Sequence, residues 1–420
     1  MRIDRTKPVS TVSLLLGALL HGGLAYGTGK LLTFLLKLIL ARLGAPAFGV
    51  FYFSTETVRS TSLLSSFGLP MSISRFLGLN DAVPEKKRGM IRSAYTIVGV
   101  IGIISTVGII VFAPVIASGL SYPGATGLLR LAALGIFGNT MLLLSKGIAF
   151  GRIDAKTAYM YEITDLTTKF CFTVTGLIVF SDKLFGGIAG YTLASVICGV
   201  TFGLHALNTS GTRVRFFWSR ILMTYAWPVG LSEVVTALTN ISVLMILSIR
   251  GGPQAVGIYG TGISVAALIF FVPQMVLPVF LPAITAKYSR KDPIAHDVRS
   301  ATAFVGIPAV LTAAVFFAGT PFIYPVIFGP SYSVGVVPSL VLVSAHALYA
   351  SAVWIPRQVL DMAGETKLNL SITALRSMIV ITVGLLLIPQ YGPTGAAIGM
   401  LFGWTAEAVA ANIASHRIYG

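Results

Sequence analysis

The sequence predicts an all-α polytopic membrane protein with about 12 transmembrane helices in two like-oriented six-helix bundles around a central cleft. Three observations point there. Apolar residues make up 55% of the 420 positions and charged residues only 10%, with a mean hydropathy of +0.86. A soluble domain carries roughly a quarter charged residues, so a soluble chain of this composition could not cover its surface. Apolar runs of about 20 residues, each long enough for a hydrocarbon core of about 30 Å, recur along the whole length. Finally, two segments half a chain apart look like copies: Arg42-Leu-Gly-Ala-Pro-Ala-Phe-Gly-Val-Phe and Arg250-Gly-Gly-Pro-Gln-Ala-Val-Gly-Ile-Tyr.

Twelve spans are expected, at 14–43, 49–69, 90–117, 127–150, 157–181, 185–207, 219–249, 256–286, 298–319, 335–357, 367–388 and 393–416. The first is too long for a signal peptide, lacks a small-residue cleavage site and carries Lys30 and Lys37 inside it, so a retained helix is expected. Cys171 and Cys198 both fall inside spans and read as small apolar residues.

The net charge of +16 could suggest nucleic-acid binding, but the placement of the charges argues otherwise. Arg2, Arg5 and Lys7 precede span one; Arg75, Lys86, Lys87, Arg88 and Arg92 lie between spans two and three. Arg152 and Lys156 follow span four, and Arg213, Arg215 and Arg220 follow span six. Lys287, Arg290, Lys291 and Arg299 follow span eight, Arg357 and Lys367 flank the loop after span ten, and Arg417 closes the chain. Every second loop is therefore basic, while the others offer only Arg42, Lys183 and Arg250. This is the positive-inside bias of a multi-pass protein of the cell membrane, with N- and C-termini in the cytoplasm and no nucleic-acid partner. Part of the basic surplus also suits an anionic inner leaflet.

The two copies align without a gap at an offset of 208, which pairs Arg42 with Arg250, Gly44 with Gly252, Ala47 with Ala255 and Gly49 with Gly257. The same offset pairs Leu69-Pro70 with Leu277-Pro278, and Gly187 and Ala189 with Gly395 and Ala397. Residues 1–210 and 211–420 are thus expected to form two duplicated bundles. Six spans return the chain to its starting side, so the halves share one orientation and are expected to be related by an axis along the membrane normal. Gly44, Gly49, Gly252 and Gly257 are expected to serve tight turns needing positive φ, and Pro70, Pro278 and Pro282 to end or kink helices.

Four segments carry a family resemblance: Leu40-Ala-Arg-Leu-Gly-Ala-Pro-Ala-Phe-Gly; Phe67-Gly-Leu-Pro followed by Arg75-Phe76; Phe328-Gly-Pro-Ser-Tyr; and Asp361-Met-Ala-Gly-Glu-Thr-Lys followed by Tyr391-Gly-Pro-Thr-Gly-Ala-Ala. With these the chain resembles the Wzx-type polysaccharide flippases of the multidrug/oligosaccharidyl-lipid/polysaccharide (MOP) superfamily. The resemblance implies a MATE-like fold and a lipid-linked oligosaccharide substrate. It also implies alternating access from the cytoplasmic to the outer leaflet, and glycan-assembly proteins as candidate partners.

Charges inside spans bear most directly on function, because each costs at least about 2.5 kcal/mol at the bilayer centre and faces a cavity or a partner. Helix rise places Lys30, Arg59, Lys169, Glu233, Arg376 and Glu407 near mid-depth, and Lys37, Glu56 and Asp165 nearer the ends. Arg130 and Lys146 are close enough to an interface to snorkel. Glu56 and Arg59 share a helix face, as do Glu162, Asp165 and Lys169. Such pairs can staple a bundle as readily as serve a substrate. Lys30, Lys37 and Arg376 share their helices with no acid and need partners across helices, or an anion.

A lipid-linked sugar carries phosphate, and Lys and Arg supply charge-assisted hydrogen bonds to phosphate oxygens. Lys30, Lys37, Arg59, Lys169 and Arg376 are therefore candidate substrate-binding residues of a cationic cleft. Glu56, Asp165, Glu233, Asn240 and Glu407 are candidate counter-charges, sugar contacts or sites of proton or sodium coupling. No other cofactor is expected. A multidrug exporter of the same fold would need an apolar or acidic cleft. A membrane glycan polymerase or glycosyltransferase would need acids or a metal in a sizeable outer loop, and the longest here, 319–335, has no Asp, Glu or His. No P-loop or ATPase domain is readable.

Overall fold

A computed structural model describes residues 11–78, 84–152, 154–208 and 220–419. Arg2, Arg5, Lys7, Arg213 and Arg215 of the basic loops, and the expected domain boundary at 210/211, lie outside them. The described residues form fifteen α-helices and no strand. These are α1 (Thr11–Ala41), α2 (Ala45–Ser66), α3 (Leu69–Gly78), α4 (Pro84–Ala117), α5 (Ala125–Ala133), α6 (Gly135–Gly151), α7 (Ala155–Val179) and α8 (Lys183–Asn208). There follow α9 (Arg220–Ala266), α10 (Phe271–Ser289), α11 (Ala295–Phe328), α12 (Val336–Leu348), α13 (Trp354–Ala363), α14 (Thr366–Tyr391) and α15 (Pro393–Tyr419).

Each of the twelve expected spans falls on helix, with three differences in detail. Span four is broken at Leu134 into α5 and α6. Span ten is α12 and α13 joined by a π-turn over Tyr349–Val353. Spans seven and eight share α9, which bends at Gly252 (φ 64°, ψ −167°) and leads through a 3₁₀ turn into α10. Eight stretches are long and apolar enough to cross a membrane, and one, Tyr225–Val276, has 52 residues, enough to cross twice around its bend. α1, α2 and α7 are not among the eight. On α4, Val100, Ile103, Ile104, Val107, Val111, Phe112 and Val115 are all exposed. A stripe that is both apolar and uncovered is stable against lipid, and the protein is a multi-pass membrane protein.

Local signals end the helices. The Asp154 carboxylate caps α7, accepting from the Thr157 amide at 3.1 Å and its hydroxyl at 2.6 Å, which satisfies a donor that the first turn leaves open. Gly364 ends α13 in the left-handed region at φ 85°.

The helices gather into two compact units. Among the described residues, one comprises 54–78, 84–117, 124–152, 154–208 and 220–238; the other comprises 11–53, 118–123 and 239–419. Each therefore draws helices from both sequence halves. The first is centred on Leu69, Ile73, Ile91, Val98, Leu144 and Ile148, and the second on Val276, Phe280, Val298, Val305, Ile355 and Val359.

The repeat glycines divide into two kinds. Gly44 (φ 100°) and Gly252 (φ 64°) occupy the left-handed region, as expected for turns. Gly49 and Gly257 do not serve turns. They lie inside α2 and α9, and a Cβ on Gly49 would sit 1.8 Å from the Pro253 carbonyl oxygen. A Cβ on Gly257 would sit 2.1 Å from the Ala45 oxygen. Ala45 and Pro253 are themselves one repeat offset apart, so the contact is reciprocal, as a two-fold relation between the copies demands. The correction follows from packing: these glycines are needed where two helix backbones touch.

Candidate functional site

In the first unit, three ion pairs lie on α2, α6 and α7. One turn apart on α2, Arg59 Nε donates to Glu56 Oε2 at 2.6 Å, with 55% of the Arg59 side chain still exposed. On α7, Lys169 is buried; its Nζ donates to Asp165 Oδ2 at 3.0 Å and to Asn139 Oδ1 of α6 at 2.9 Å. The same ammonium lies 5.1 Å from the centre of the Tyr191 ring of α8, within cation–π range. Tyr191 in turn stands in the field of Lys169, Asp165, Glu56 and Arg59. Lys146, expected to snorkel, instead pairs with Glu162, because the 16-residue separation brings α6 beside α7 at that level. Charge here is balanced: three acids, Glu56, Glu162 and Asp165, face three cations, Arg59, Lys146 and Lys169.

Glu233, on α9, serves a different purpose. Its Oε2 accepts from the Gly68 amide at 2.7 Å and lies 3.0 Å from the Ser66 hydroxyl. It thus holds the corner between α2 and α3.

The second unit is organised by a residue assigned from sequence to a loop flank. Arg357 lies well inside α13, because the π-turn inserts an extra residue into span ten and the helix runs on to Gly364. Its Nη1 donates to Glu407 Oε1 of α15 at 2.5 Å, its Nε to Asn369 Oδ1 of α14 at 2.8 Å and its Nη2 to Thr373 Oγ1 at 2.9 Å. Asn369 passes the network on to Asp361 Oδ1 at 2.6 Å. Arg376 Nη1 stands 3.6 Å from the other Glu407 oxygen, and Glu407 is 0% exposed. One carboxylate thus joins two guanidinium groups from two different helices. Beside Arg357, Tyr349 opens an aromatic cluster with Phe270, His346, Trp354 and Trp404, whose ring centres lie 4.7–6.3 Å apart along the contacts.

The expected site residues are therefore distributed. Arg59 and Lys169 belong to the first unit; Lys30, Lys37 and Arg376 belong to the second. Lys37 lies 5.4 Å from the Tyr52 ring centre, and Lys30 is within electrostatic reach of His346. Asn240 is half-buried on α9. Arg357, Asp361, Asn369 and Asn139 escaped sequence reasoning. Arg357 carried one usable signal, an arginine close to an aromatic-rich apolar run, but its partners on α14 and α15 are legible only in three dimensions.

Comparison with known proteins gives this arrangement a family. The polysaccharide biosynthesis protein family matches residues 19–286, well over half of the chain. A probable flippase, AglR of Haloferax volcanii, is 25% identical over 394 residues, covering 89% of this chain and 77% of the relative. An uncharacterized membrane protein of Methanocaldococcus jannaschii is 23% identical over 409 residues, covering 93% of each. Among solved structures, a MOP superfamily transporter from Pyrococcus furiosus superposes with a TM-score of 0.69 at 16% identity, covering 98% of each chain. The lipid II flippase MurJ superposes with a TM-score of 0.73 at 11% identity, covering 94% of this chain and 89% of its own. At these identities the superpositions establish the fold, while the sequence match establishes kinship: the chain has the MOP fold and belongs to the polysaccharide biosynthesis protein family.

Proposed function

We propose that the protein is a flippase of the cell membrane. In this reading it carries a lipid-linked oligosaccharide from the cytoplasmic to the outer leaflet by alternating access, and both of its termini are cytoplasmic. The family match over residues 19–286 carries the reading. The likeness to a probable flippase over 89% of the chain supports it. A transporter fits the residues better than an enzyme does, since charge is buried in helix-spanning pairs and not displayed in a loop.

Lys30, Lys37, Arg59, Lys169 and Arg376 are the cations we assign to the phosphate-bearing head-group, with residues 1–210 and 211–420 as the moving halves. Arg59 leads that set. Its partner Glu56 holds one side of the guanidinium, while more than half of the side chain stays open to a second anion. Lys169 and Arg376 are already engaged by Asp165 and Glu407, and Lys169 shares with Arg59 the field around Tyr191. Asp165 and Glu407 are the candidates for proton or sodium coupling, because each is a buried carboxylate facing a cation whose charge a bound proton would leave exposed.

The test is translocation of a fluorescent lipid-linked oligosaccharide in vesicles containing the full chain, with Lys30, Arg59 and Arg376 neutralised singly. Arg59→Gln is expected to reduce the rate at least tenfold. Full activity in all three variants would overturn the cationic site. A multidrug exporter is the second reading, favoured by the MATE structures that share the fold with TM-scores near 0.71. Export of organic cations, with glycolipid left unmoved, would establish it instead.

A further inference from the structure

The corner between α2 and α3 is a tight and strained piece of backbone. Phe67 (φ 46°) and Gly68 (φ 67°) are consecutive residues in the left-handed region, and such a conformation at phenylalanine costs of order 1 kcal/mol and persists only where surroundings enforce it. The corner sits directly on the start of α9. A Cβ on Gly68 would lie 2.5 Å from the Gly230 nitrogen and 2.7 Å from the Ala226 oxygen, and a Cβ on Gly230 would lie 2.7 Å from the Phe67 oxygen. Nearby, Arg75 of α3 lies over the Tyr225 ring at 4.6 Å. Two backbones meet here, one from each half of the duplicated sequence, with the Phe67 ring packed against Gly230 and Val229 against Gly68.

Glu233 closes this seam. Its carboxylate takes the Gly68 amide at 2.7 Å and the Ser66 hydroxyl at 3.0 Å, across 165 and 167 residues of chain. The repeat does not reproduce it, since the residue 208 positions earlier is Ala25. The same offset pairs Gly230 with Gly22 but Gly68 with Val276, so the Gly68 corner and the carboxylate are both features of one copy. The reciprocal Gly49–Gly257 seam lies at the other end of α2, a helix of 22 residues, hence about 33 Å long. A helix held at each end by a close glycine contact can release one end while the other stays closed.

We infer that Glu233 is a releasable latch, a positioning residue that holds the α2–α3 corner on α9 in this state and lets it go when the basic-loop face opens. The role in transport rests on the flippase reading above; the latch itself does not. Gly68 and Gly230 carry no side chain, so the apolar surface re-exposed when the seam parts comes from the Phe67 ring and Val229 beside them. The Glu233 hydrogen bonds then provide the directional hold, and the strain at Phe67 favours release once they are broken.

The experiment uses the full chain in membrane vesicles, with Cys171 and Cys198 replaced by alanine. Ala226→Cys places a reporter under the corner, where the native side chain is 0% exposed, and Ser195→Cys places a control in the buried core of the same unit. A membrane-impermeant maleimide reads both. Glu233→Ala is expected to raise the labelling rate at position 226 by about tenfold, the factor that one hydrogen bond to a charged group is worth, and to leave position 195 unchanged. Glu233→Gln keeps an acceptor without the charge and is expected to give a smaller rise. No rise at 226, or an equal rise at both positions, overturns the latch, the second because it reports loosened packing. Lost glycolipid transport with unchanged labelling also overturns it, by placing Glu233 in substrate or ion handling. A rise confined to 226 upholds the latch even if the substrate proves not to be a glycolipid.

Discussion

The two units solve the same problem, burying charge in a membrane protein, in different ways. In the first, the pairs Glu56–Arg59 and Asp165–Lys169 lie three and four residues apart on single helices. These two pairs neutralise within their own helices, with neighbours such as Asn139 and Tyr191 completing the coordination, while a third, Lys146–Glu162, crosses from α6 to α7. In the second, the network is not local: Arg357 on α13, Arg376 on α14 and Glu407 on α15 come together only when three helices pack. Self-neutralised helices can carry a polar face that stays partly open, as Arg59 does. A network that exists only after three helices pack is a structural commitment, with its central carboxylate fully enclosed. The first unit is thus the better place for a transient anionic guest, and the second the better place for a permanent clamp.

That contrast can be broken at its strongest point first. Glu407→Ala leaves two buried guanidinium groups facing each other, and removing one member of a buried charge network costs about 3–5 kcal/mol. A large fall in the midpoint of thermal unfolding in detergent is expected. Asp165→Ala is expected to cost less, about 3 kcal/mol or below, because Lys169 keeps the Asn139 amide oxygen and the Tyr191 ring. Equal losses in the two variants would remove the distinction between local and assembled networks.

Gly49→Ala and Gly257→Ala come next, at about 1–3 kcal/mol each for an overpacked backbone contact. Because the contact is reciprocal, the two should match within error in the same unfolding assay, and a large inequality would contradict the two-fold relation. Smallest in stability is Arg59→Gln. An exposed ion pair is worth about 0–1 kcal/mol, so the melting midpoint should barely move while glycolipid translocation falls. The reverse outcome, an unstable protein with normal transport, would make Arg59 a staple and not a ligand group.

The sequence by itself determined the class, the spans and the duplication, because each of these is a matter of composition or of order along the chain. Twenty apolar residues must be helical in lipid whatever surrounds them, since only a helix satisfies its own backbone. Pairs three or four residues apart meet on any helix, so Glu56–Arg59 and Asp165–Lys169 were visible before folding. Only the tertiary structure decided the rest. Arg357 looked like a loop flank until a π-turn and the packing of α14 and α15 drew it inward. Gly49 and Gly257 looked like turn residues until their helices were seen backbone to backbone. Glu233 stood in the sequence as a candidate counter-charge or coupling site, and the structure shows the α2–α3 corner supplying its donors. In each case the partner lies on another helix, and helix depth carries no information about which way a side chain is rotated or what it will meet.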